Sequence, residues 1–370
     1  MPAKSFSNGS HAPARDKFPG YPASWYLFGA GSELNKGPLS KPLLGRRLVA
    51  FRTSGGKVAV MDAHCAHLGA DLGRGSVIDE TIQCPFHSWR YGTDGVCTHI
   101  PCGEEIPPFA RLRTYPVEER HGYVFFFNGA EPLFPLPFFF GAGPRDFVAG
   151  KTFAYVADCT WYMNAAHAFD TQHFRSVHDR KLLAPPVIDC PAPFARRNSY
   201  HAEVVGDSIF DRLLRHFAGP TVQATLSIFG GNVAAVTADF GRTQSQFLMF
   251  MHPREDGQTL CQGIVYAPRK RSLFSFPQRL NLWTRRAFTH GYLAEEARRL
   301  RGTRYNPAGL GRNDQDMIDF FQWLVSLPQG VSTAIHMKAS EGENENIPSS
   351  PDVPVGGSRP SEFTNTVRPG

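Results

Sequence analysis

Four residues in two short arms constrain this chain more than any other feature of its sequence. Cys65 and His67 form the first arm, and Cys84 and His87 form the second arm, sixteen residues further on. Two thiolates and two neutral imidazoles are the ligands of a [2Fe–2S] centre in which His replaces Cys on one iron. The chain must therefore fold two loops over one cluster.

Two other sites would use the same four residues. A structural zinc site also takes two Cys and two His, but it usually pairs Cys with Cys and His with His. A disulfide between Cys65 and Cys84 would leave both histidines without a role. The flanking residues favour the cluster, because Gly69 and Gly73 permit a close approach of the backbone and Trp89 supplies an apolar cover. We therefore predict a Rieske [2Fe–2S] cluster.

Length, cysteine usage and charge exclude several classes of protein. The 370 residues, 42% of them hydrophobic, suffice for two domains with a sizeable core. Seven cysteines without a paired framework, and a start without a signal sequence, predict a reducing cytoplasm. No apolar run approaches the roughly 20 residues of a membrane span. The formal charge of +6 is modest and favours an acidic partner protein over nucleic acid.

The pattern of strands, turns and polar segments predicts two domains between polar ends. We expect a flexible arm at 1–21, the Rieske domain at 22–135, a catalytic domain at 136–339 and a disordered tail at 340–370. Antiparallel strands should carry the cluster at their loop tips. Four strands are predicted in the second domain: Val222–Phe229, Val233–Phe240, Ser245–His252 and Leu260–Ala267. The fold class is therefore α+β.

A second group of metal-binding residue types lies in the catalytic domain. Asp170, His173 and His178 form the pattern Asp-x-x-His-x-x-x-x-His. Two imidazoles and one carboxylate make the facial triad of non-heme Fe(II) oxygenases, which leaves one face of the iron open. The step from His173 to His178 exceeds one helical turn, so we expect a bend between them. The predicted cluster strengthens the interpretation of His173 and His178 as metal ligands, because a cluster that carries electrons needs a second site that consumes them.

The two arms and their flanks resemble a known family. The stretches Met61–Leu72 and Cys84–Tyr91 are similar to the N-terminal domain of the Rieske non-heme iron oxygenases. The similarity is greatest to the branch with pyrrolnitrin-type arylamine oxygenases, ketosteroid hydroxylases and cholesterol desaturases. This resemblance implies a helix-grip type catalytic domain, in which a curved antiparallel sheet wraps around a helix. It also implies two cofactors, the Rieske cluster and a mononuclear Fe(II).

The resemblance also implies roles for single residues. His173 and His178 would bind the mononuclear iron. Asp170 would orient the imidazole of His173 and would bridge to His87 of a neighbouring subunit, which makes a homotrimer the expected assembly.

The chain departs from the family pattern just before Asp170. Many relatives carry Glu-Asn where this chain has Ala166 and His167. We expect His167 to be a polar residue satisfied by its surroundings. A substitute hydrogen-bond donor to the site and a contact to substrate are the alternatives, and we do not count His167 as a ligand.

The carboxylate of the triad should come from a segment far downstream. Relatives place the ligand Asp a few residues before an apolar pair and an amphipathic helix. Aligning Met317 and Ile318 with that pair selects Asp314, and Asp316 is the alternative. The other acid would cap the helix that begins there.

The segment 276–301 is predicted to form an amphipathic helix. Phe276, Leu280, Trp283 and Ala287 recur at helical spacing and should face inward. We expect a solvated basic opposite face, and the alternative is a docking patch for an acidic electron donor. Six arginines form this face: Arg279, Arg285, Arg286, Arg298, Arg299 and Arg301.

These observations together predict a terminal oxygenase. It would use O2 to hydroxylate, N-oxygenate, demethylate or desaturate a largely apolar aromatic or polycyclic small molecule, as a monooxygenase rather than a dioxygenase. Electrons would come from a ferredoxin or a flavin-dependent reductase, because the chain has no nucleotide motif of the Gly-x-Gly-x-x-Gly type after a strand. The alternative is a Rieske electron-transfer protein with a non-catalytic ligand-binding domain.

Overall fold

The computed structural model describes residues 11–103, 105–269 and 276–331. Within these ranges, no helix is long and apolar enough to cross a membrane. The predicted tail at 340–370 and the first ten residues of the predicted arm lie outside the described residues. The boundaries of the two domains thus stay predictions, although both parts belong to one compact unit.

Three small antiparallel sheets form the N-terminal part. Their orders are β1-β11-β10, β2-β3-β4-β9 and β5-β6-β7-β8. The strands are β1 (Trp25–Ala30), β2 (Leu39–Leu43), β3 (Arg46–Arg52), β4 (Val58–Asp62), β5 (Ser76–Ile78), β6 (Thr81–Gln83), β7 (Arg90–Gly92), β8 (Cys97–His99), β9 (Thr114–Tyr115), β10 (Val117–Arg120) and β11 (Tyr123–Phe127).

A glycine turn joins two strands of the last of these sheets. Gly95 lies between β7 and β8 with φ of 80°, a conformation that favours glycine. A Cβ atom at Gly95 would come within 2.1 Å of the carbonyl oxygen of Leu112. This turn therefore needs glycine for its φ angle and for its contact.

The core of the N-terminal part lies directly beneath the two ligand arms. Phe51, Met61, Ile82 and Tyr91 are fully buried and belong to one cluster that also contains Cys65 and Cys84. The apolar residues that stabilise the sheets thus also hold the base of both arms.

A nine-stranded antiparallel sheet dominates the rest of the described chain. Its main order is β12-β20-β19-β18-β17-β16-β14, with β13 paired to β20 and β15 paired to β16. The strands are β12 (Phe147–Ala149), β13 (Phe153–Ala157), β14 (Arg180–Leu182), β15 (Val187–Ala192), β16 (Ala195–Val204), β17 (Thr221–Phe229), β18 (Val233–Asp239), β19 (Gln244–Pro253) and β20 (Thr259–Pro268). The helices are α1 (Trp161–Ala166), α2 (Thr171–Ser176), α3 (Ile209–Phe217), α4 (Phe276–Arg299) and α5 (Gln315–Val325).

The predicted α+β class and the four predicted strands of the second domain are confirmed. They correspond to β17, β18, β19 and β20, with ends that differ by at most one residue. Alternate side chains of β17 to β19 turn toward one face of the sheet, and α4 packs against β13 and β20. A space remains between this sheet and the helices.

Helix α4 is also confirmed, but its predicted inward face is wrong. Leu280 and Trp283 are 50% and 63% exposed. The hydrophobic pattern misled the prediction because two of the residues on the buried face are polar. Among the described side chains of α4, the buried ones are Thr289, Leu293 and Glu296, and the side chain of Phe276 lies outside the described part.

The basic face predicted for α4 is partly used within the chain. Arg286 donates hydrogen bonds to the backbone carbonyls of Lys151 and Thr152, and Arg285 donates to Asn281 and Thr243. These arginines hold the helix on its neighbours, so they do not form a free patch.

Residues 11–21 pack against the helices, which differs from the flexible arm expected there. The ring of Phe18 stacks on Tyr162 with centroids 4.0 Å apart. Tyr305 donates a 2.6 Å hydrogen bond to the carbonyl of Pro13, and Gln322 donates a 2.9 Å bond to that of His11. The described part of the arm is thus fixed to α1 and α5.

Candidate cluster and iron sites

The two predicted arms come together as the sequence suggests. Cys65 follows β4 and Cys84 follows β6, and both side chains are buried. His67 and His87 are exposed, with ring centroids 4.7 Å apart, and His67 stacks on Trp89 at an interplanar angle of 2°. Two inner thiols and two outer imidazoles fit a cluster with one iron on each side.

Tyr91 connects the core to the cysteine side of this site. Its hydroxyl lies 3.1 Å from Sγ of Cys65 and accepts a 3.2 Å hydrogen bond from the backbone N–H of Ala66. Burial raises the pKa of the Cys65 thiol, and the hydrogen bond from Tyr91 offsets part of this effect. Hydrogen bonds to the sulfurs are one way a protein sets the potential of such a cluster.

Polar contacts fix the shape of the first arm. The Asp71 carboxylate accepts hydrogen bonds from the backbone N–H of Gly73 (2.9 Å), the hydroxyl of Ser40 (2.9 Å) and Nε of Arg47 (2.7 Å). A Cβ atom at Gly73 would lie 2.5 Å from Cβ of Ser40, so glycine is required for this close approach. The arm is thus clamped to β2 and β3.

A second group of ligand atoms gathers beside the large sheet. His173 lies in α2, His178 follows the end of α2, and Glu296 lies in α4. The two Nε2 atoms are 3.0 Å apart. Nε2 of His173 lies 2.7 Å from Oε1 of Glu296, and Nε2 of His178 lies 3.2 Å from Oε2. In the described chain, this is the group of three whose ligand atoms lie within 4.8 Å of one another.

These distances fit three donors on one face of a metal ion. Donors bound at about 2.1 Å and at right angles are about 3.0 Å apart. Glu296 is 4% exposed, and apart from the two imidazoles its oxygens have no hydrogen-bond partner among the described residues. Burial alone would raise the pKa of Glu296, but the two histidines lower it below its usual value. A buried ionised carboxylate needs a compensating cation, which a ferrous ion would provide.

The short helix α2 presents the two histidines. Oδ1 of Asp170 accepts hydrogen bonds from the backbone N–H groups of Gln172 (3.0 Å) and His173 (3.1 Å). Asp170 therefore caps α2 and fixes the backbone of His173, whereas the expected contact was with its imidazole. The helix ends at Ser176, and the predicted bend returns His178 to the first imidazole.

Tyr292 supports His178 from the next turn of α4. Its hydroxyl lies 3.1 Å from Nδ1 and 3.2 Å from Nε2 of His178, and the two rings stack with centroids 5.2 Å apart. Burial raises the pKa of Tyr292, so its hydroxyl stays protonated at neutral pH. Contacts to the second imidazole nitrogen orient a metal-binding histidine.

The structure does not bring the predicted Asp314 or Asp316 to the histidines. Oδ1 of Asp314 accepts a 2.9 Å hydrogen bond from Gln172, and Oδ2 accepts a 2.8 Å bond from the backbone N–H of Gly311. These bonds close the turn before α5, and Asp316 is exposed in the first turn of that helix. Glu296 is the carboxylate whose oxygens lie beside the two histidines.

Sequence reasoning missed Glu296 because the alignment of Met317 and Ile318 selected Asp314, 18 positions further along the chain (314 − 296). The one available signal was an acid on the buried stripe of α4, between Leu293 and Leu300. Arg299 lies three residues further on, so the sequence alone also allowed a surface ion pair for Glu296.

A cavity of about 140 Å³ reaches the His-His-Glu group. Its far wall is one apolar face of β17, β18 and β19. The side chains there include Leu226, Ile228, Val236, Phe247 and Met249. Ala224, Ala234 and Ala238 lie on the same face and leave space for a bound molecule. An apolar space beside a metal site is the usual form of a binding pocket for a small molecule.

His167 lines the cavity beside His173, with ring centroids 5.5 Å apart. Burial lowers the pKa of His167 to about 4, so its imidazole is neutral at pH 7. Its Nδ1 atom is buried and has no side-chain partner in the described chain, but a backbone hydrogen bond at Asn164 acts to raise its pKa. The expectation that its surroundings satisfy His167 therefore stays a prediction.

Comparisons with known proteins agree with this geometry. Residues 24–116 match the family model of the Rieske [2Fe-2S] domain. The chain is 40% identical over 172 residues to aminopyrrolnitrin oxygenase PrnD of Pseudomonas fluorescens, covering 44% of this chain and 47% of that protein. It is 38% identical over 114 residues to the oxygenase component of a 3-ketosteroid-9-alpha-monooxygenase of Rhodococcus rhodochrous, covering 30% of each. The matches thus span less than half of these curated relatives.

A solved structure shares the fold over more of the chain. NdmB of Pseudomonas putida CBB5 aligns with a TM-score of 0.59 at 17% identity, covering 90% of this chain and 95% of that one. At this identity the likeness concerns the fold alone. Residues 24–116 therefore form a Rieske [2Fe-2S] domain, and the chain shares the fold of NdmB.

Proposed function

We propose that this protein is the terminal oxygenase of a Rieske non-heme iron system, acting as a monooxygenase on a small, largely apolar molecule. The observation that carries this proposal is the His173, His178 and Glu296 group at the end of an apolar cavity. When bound, the cluster would supply electrons one at a time and the ferrous ion would activate O2. An electron-transfer protein alone would have no use for the second group of ligands.

The residues around the iron site would have separate tasks. His173, His178 and Glu296 would hold the ion on one side and leave the side toward the cavity for O2 and substrate. Tyr292 would keep His178 oriented through its hydroxyl. The apolar wall would exclude water, because its side chains offer water no hydrogen-bond partner. It would also orient the substrate by its shape.

The assembly and the electron donor are part of the proposal. We propose a homotrimer in which His87 of one subunit lies near Asp170 of the next. The exposure of His87, and of Leu68 and Phe86 beside it, supports such a contact at the cluster. A ferredoxin or a flavin-dependent reductase would donate electrons to the cluster.

We propose the cytoplasm as the compartment. The seven cysteines are all free, which suits a reducing environment.

Metal analysis of matched variants tests the iron site. The wild-type protein, purified without oxygen, should contain about three irons and two acid-labile sulfides per chain. Glu296→Gln keeps the shape of the side chain but removes its charge, so iron should fall to about two with sulfide unchanged. Asp314→Asn is the matched control and should keep about three.

The opposite pattern would contradict our assignment. If Asp314→Asn loses the third iron and Glu296→Gln retains it, Asp314 is the ligand. Loss of sulfide in Glu296→Gln would instead mean that the substitution disturbs the fold. A molecular mass of one chain in solution, rather than three times 41.0 kDa, would argue against the trimer.

A further inference from the structure

The proposed substrate cavity is lined near the metal by several polar side chains. Three of them are engaged by other side chains of the protein. Asn164 donates a 3.2 Å hydrogen bond to Sγ of Cys261, the hydroxyl of Tyr292 contacts His178, and Arg180 contacts Asp211 at 3.0 Å. His167 makes no hydrogen bond to another side chain in the described part of the chain.

His167 is held in a fixed position near the metal group. It follows α1, and α1 and the turn after it are packed against α5 and β19, so the imidazole is held by rigid elements. Its ring lies 5.5 Å from that of His173. A molecule bonded to His167 would therefore sit within reach of the His-His-Glu group.

The size of the cavity limits what can bind. Its volume of about 140 Å³ is close to that of engineered protein cavities that bind benzene, which measure about 150 Å³. One or two fused rings fit the space that His167 lines, and a second cavity of about 500 Å³ also reaches His178 and Glu296. The wall is apolar except near the metal, so most of the ligand must be hydrocarbon-like.

From these observations we propose that His167 anchors the substrate, and that the substrate is a one- or two-ring apolar molecule with one amino or hydroxyl group. A neutral imidazole has one N–H donor and one bare acceptor nitrogen. Amino and hydroxyl groups both donate and accept, so they can bond to whichever imidazole nitrogen faces the cavity. The polar group at His167 and the apolar rings against the sheet would then fix which atom faces the iron. This inference rests on the proposed function, because it treats the bound molecule as a substrate. Its test measures binding alone and does not require the reaction.

Binding of a matched pair of probes tests the anchor without any turnover. The probes are 1-naphthol and naphthalene, which differ by one hydroxyl, and their dissociation constants are measured by calorimetry on iron-loaded protein. The informative quantity is the affinity ratio of the two probes. His167→Phe leaves the hydroxyl of 1-naphthol buried without a partner, so the ratio should fall at least about fivefold. His167→Asn restores a donor and an acceptor and should recover part of the ratio.

Two further variants make the result specific. His201→Phe makes the same exchange at an exposed position of β16 and should leave the ratio unchanged. Tyr200→Phe removes another hydroxyl that lines the cavity, and it should leave the ratio within twofold of the wild-type value.

An unchanged ratio in His167→Phe, or an equal loss in Tyr200→Phe, would overturn the assignment of the anchor. Failure of wild-type protein to bind either probe would overturn the size class. A protein that binds both probes as expected but forms no product with an electron donor would refute the proposed function and leave the anchor intact.

Discussion

His252 should make the protein less stable in mild acid, and this effect can be calculated from its surroundings. The side chain is 2% exposed in β19, it packs on the ring of Tyr26 at 5.4 Å, and neither ring nitrogen has a hydrogen-bond partner among the described residues. Burial, and to a smaller degree the charge of Lys41, lowers the pKa of His252 to about 3. In an unfolded chain the same group has its ordinary pKa of about 6.5.

The difference between these two pKa values determines the sign and the size of the effect. Between pH 7.5 and 5.5 the unfolded chain takes up a proton at this position and the folded chain does not. Stability therefore falls as the pH falls, by about 1.4 kcal/mol over this interval, since one unit of pKa corresponds to about 1.36 kcal/mol. The full effect would develop only near pH 3.

Urea denaturation of wild type and His252→Phe at pH 7.5 and 5.5 checks this value. Phenylalanine keeps a ring against Tyr26 but cannot bind a proton. Other titrating groups, including His167, contribute equally to both proteins and cancel in the difference. On going from pH 7.5 to 5.5, the free energy of unfolding should fall by about 1.4 kcal/mol less in the variant than in the wild type. The reasoning is refuted if both proteins lose the same stability on acidification.

Two further predictions concern the arm and the cluster. Phe18→Ala should lower the free energy of unfolding by about 2 kcal/mol, because the half-buried ring stacks on Tyr162 and meets the edges of Tyr305 and Phe321. Denaturation measures this loss against Phe109→Ala, a 65% exposed control that should change stability by less than about 0.5 kcal/mol; equal effects would mean that the arm is not packed. Tyr91→Phe should lower the reduction potential of the cluster by on the order of 50 mV, since a hydrogen bond to Cys65 favours the reduced, more negative state. A redox titration followed by absorbance checks this shift, and an unchanged potential would contradict a role for Tyr91.

Features encoded by nearby residues were predictable from the sequence. Each arm of the cluster brings its Cys and His within four residues, and β17 to β20 show their buried face by simple alternation. The bend between His173 and His178 followed from helix geometry alone. In each case, residues that lie close together in the sequence also lie close together in space, so local spacing suffices for the prediction.

Glu296 and the inner face of α4 were not predictable in this way. The buried stripe of α4 includes Thr289 and Glu296, and its exposed stripe includes Trp283, so hydrophobicity points to the wrong side. Asp314 was selected because it precedes an apolar pair, which is a local feature of the sequence. Glu296 has no such local feature, because only the packing of α4 brings it beside the two histidines. Tertiary packing decided the matter, as it does whenever a site joins remote segments.

Single substitutions of the three alanines on the cavity wall could change which molecules the cavity accepts. Ala224, Ala234 and Ala238 lie on neighbouring strands and none belongs to the metal group or its supports. Exchange of any of them for valine or glycine would alter the space by the volume of one or two methyl groups while the chemistry stayed intact. A lineage descended from such a protein can thus explore new molecules stepwise, with each step confined to the shape of one wall.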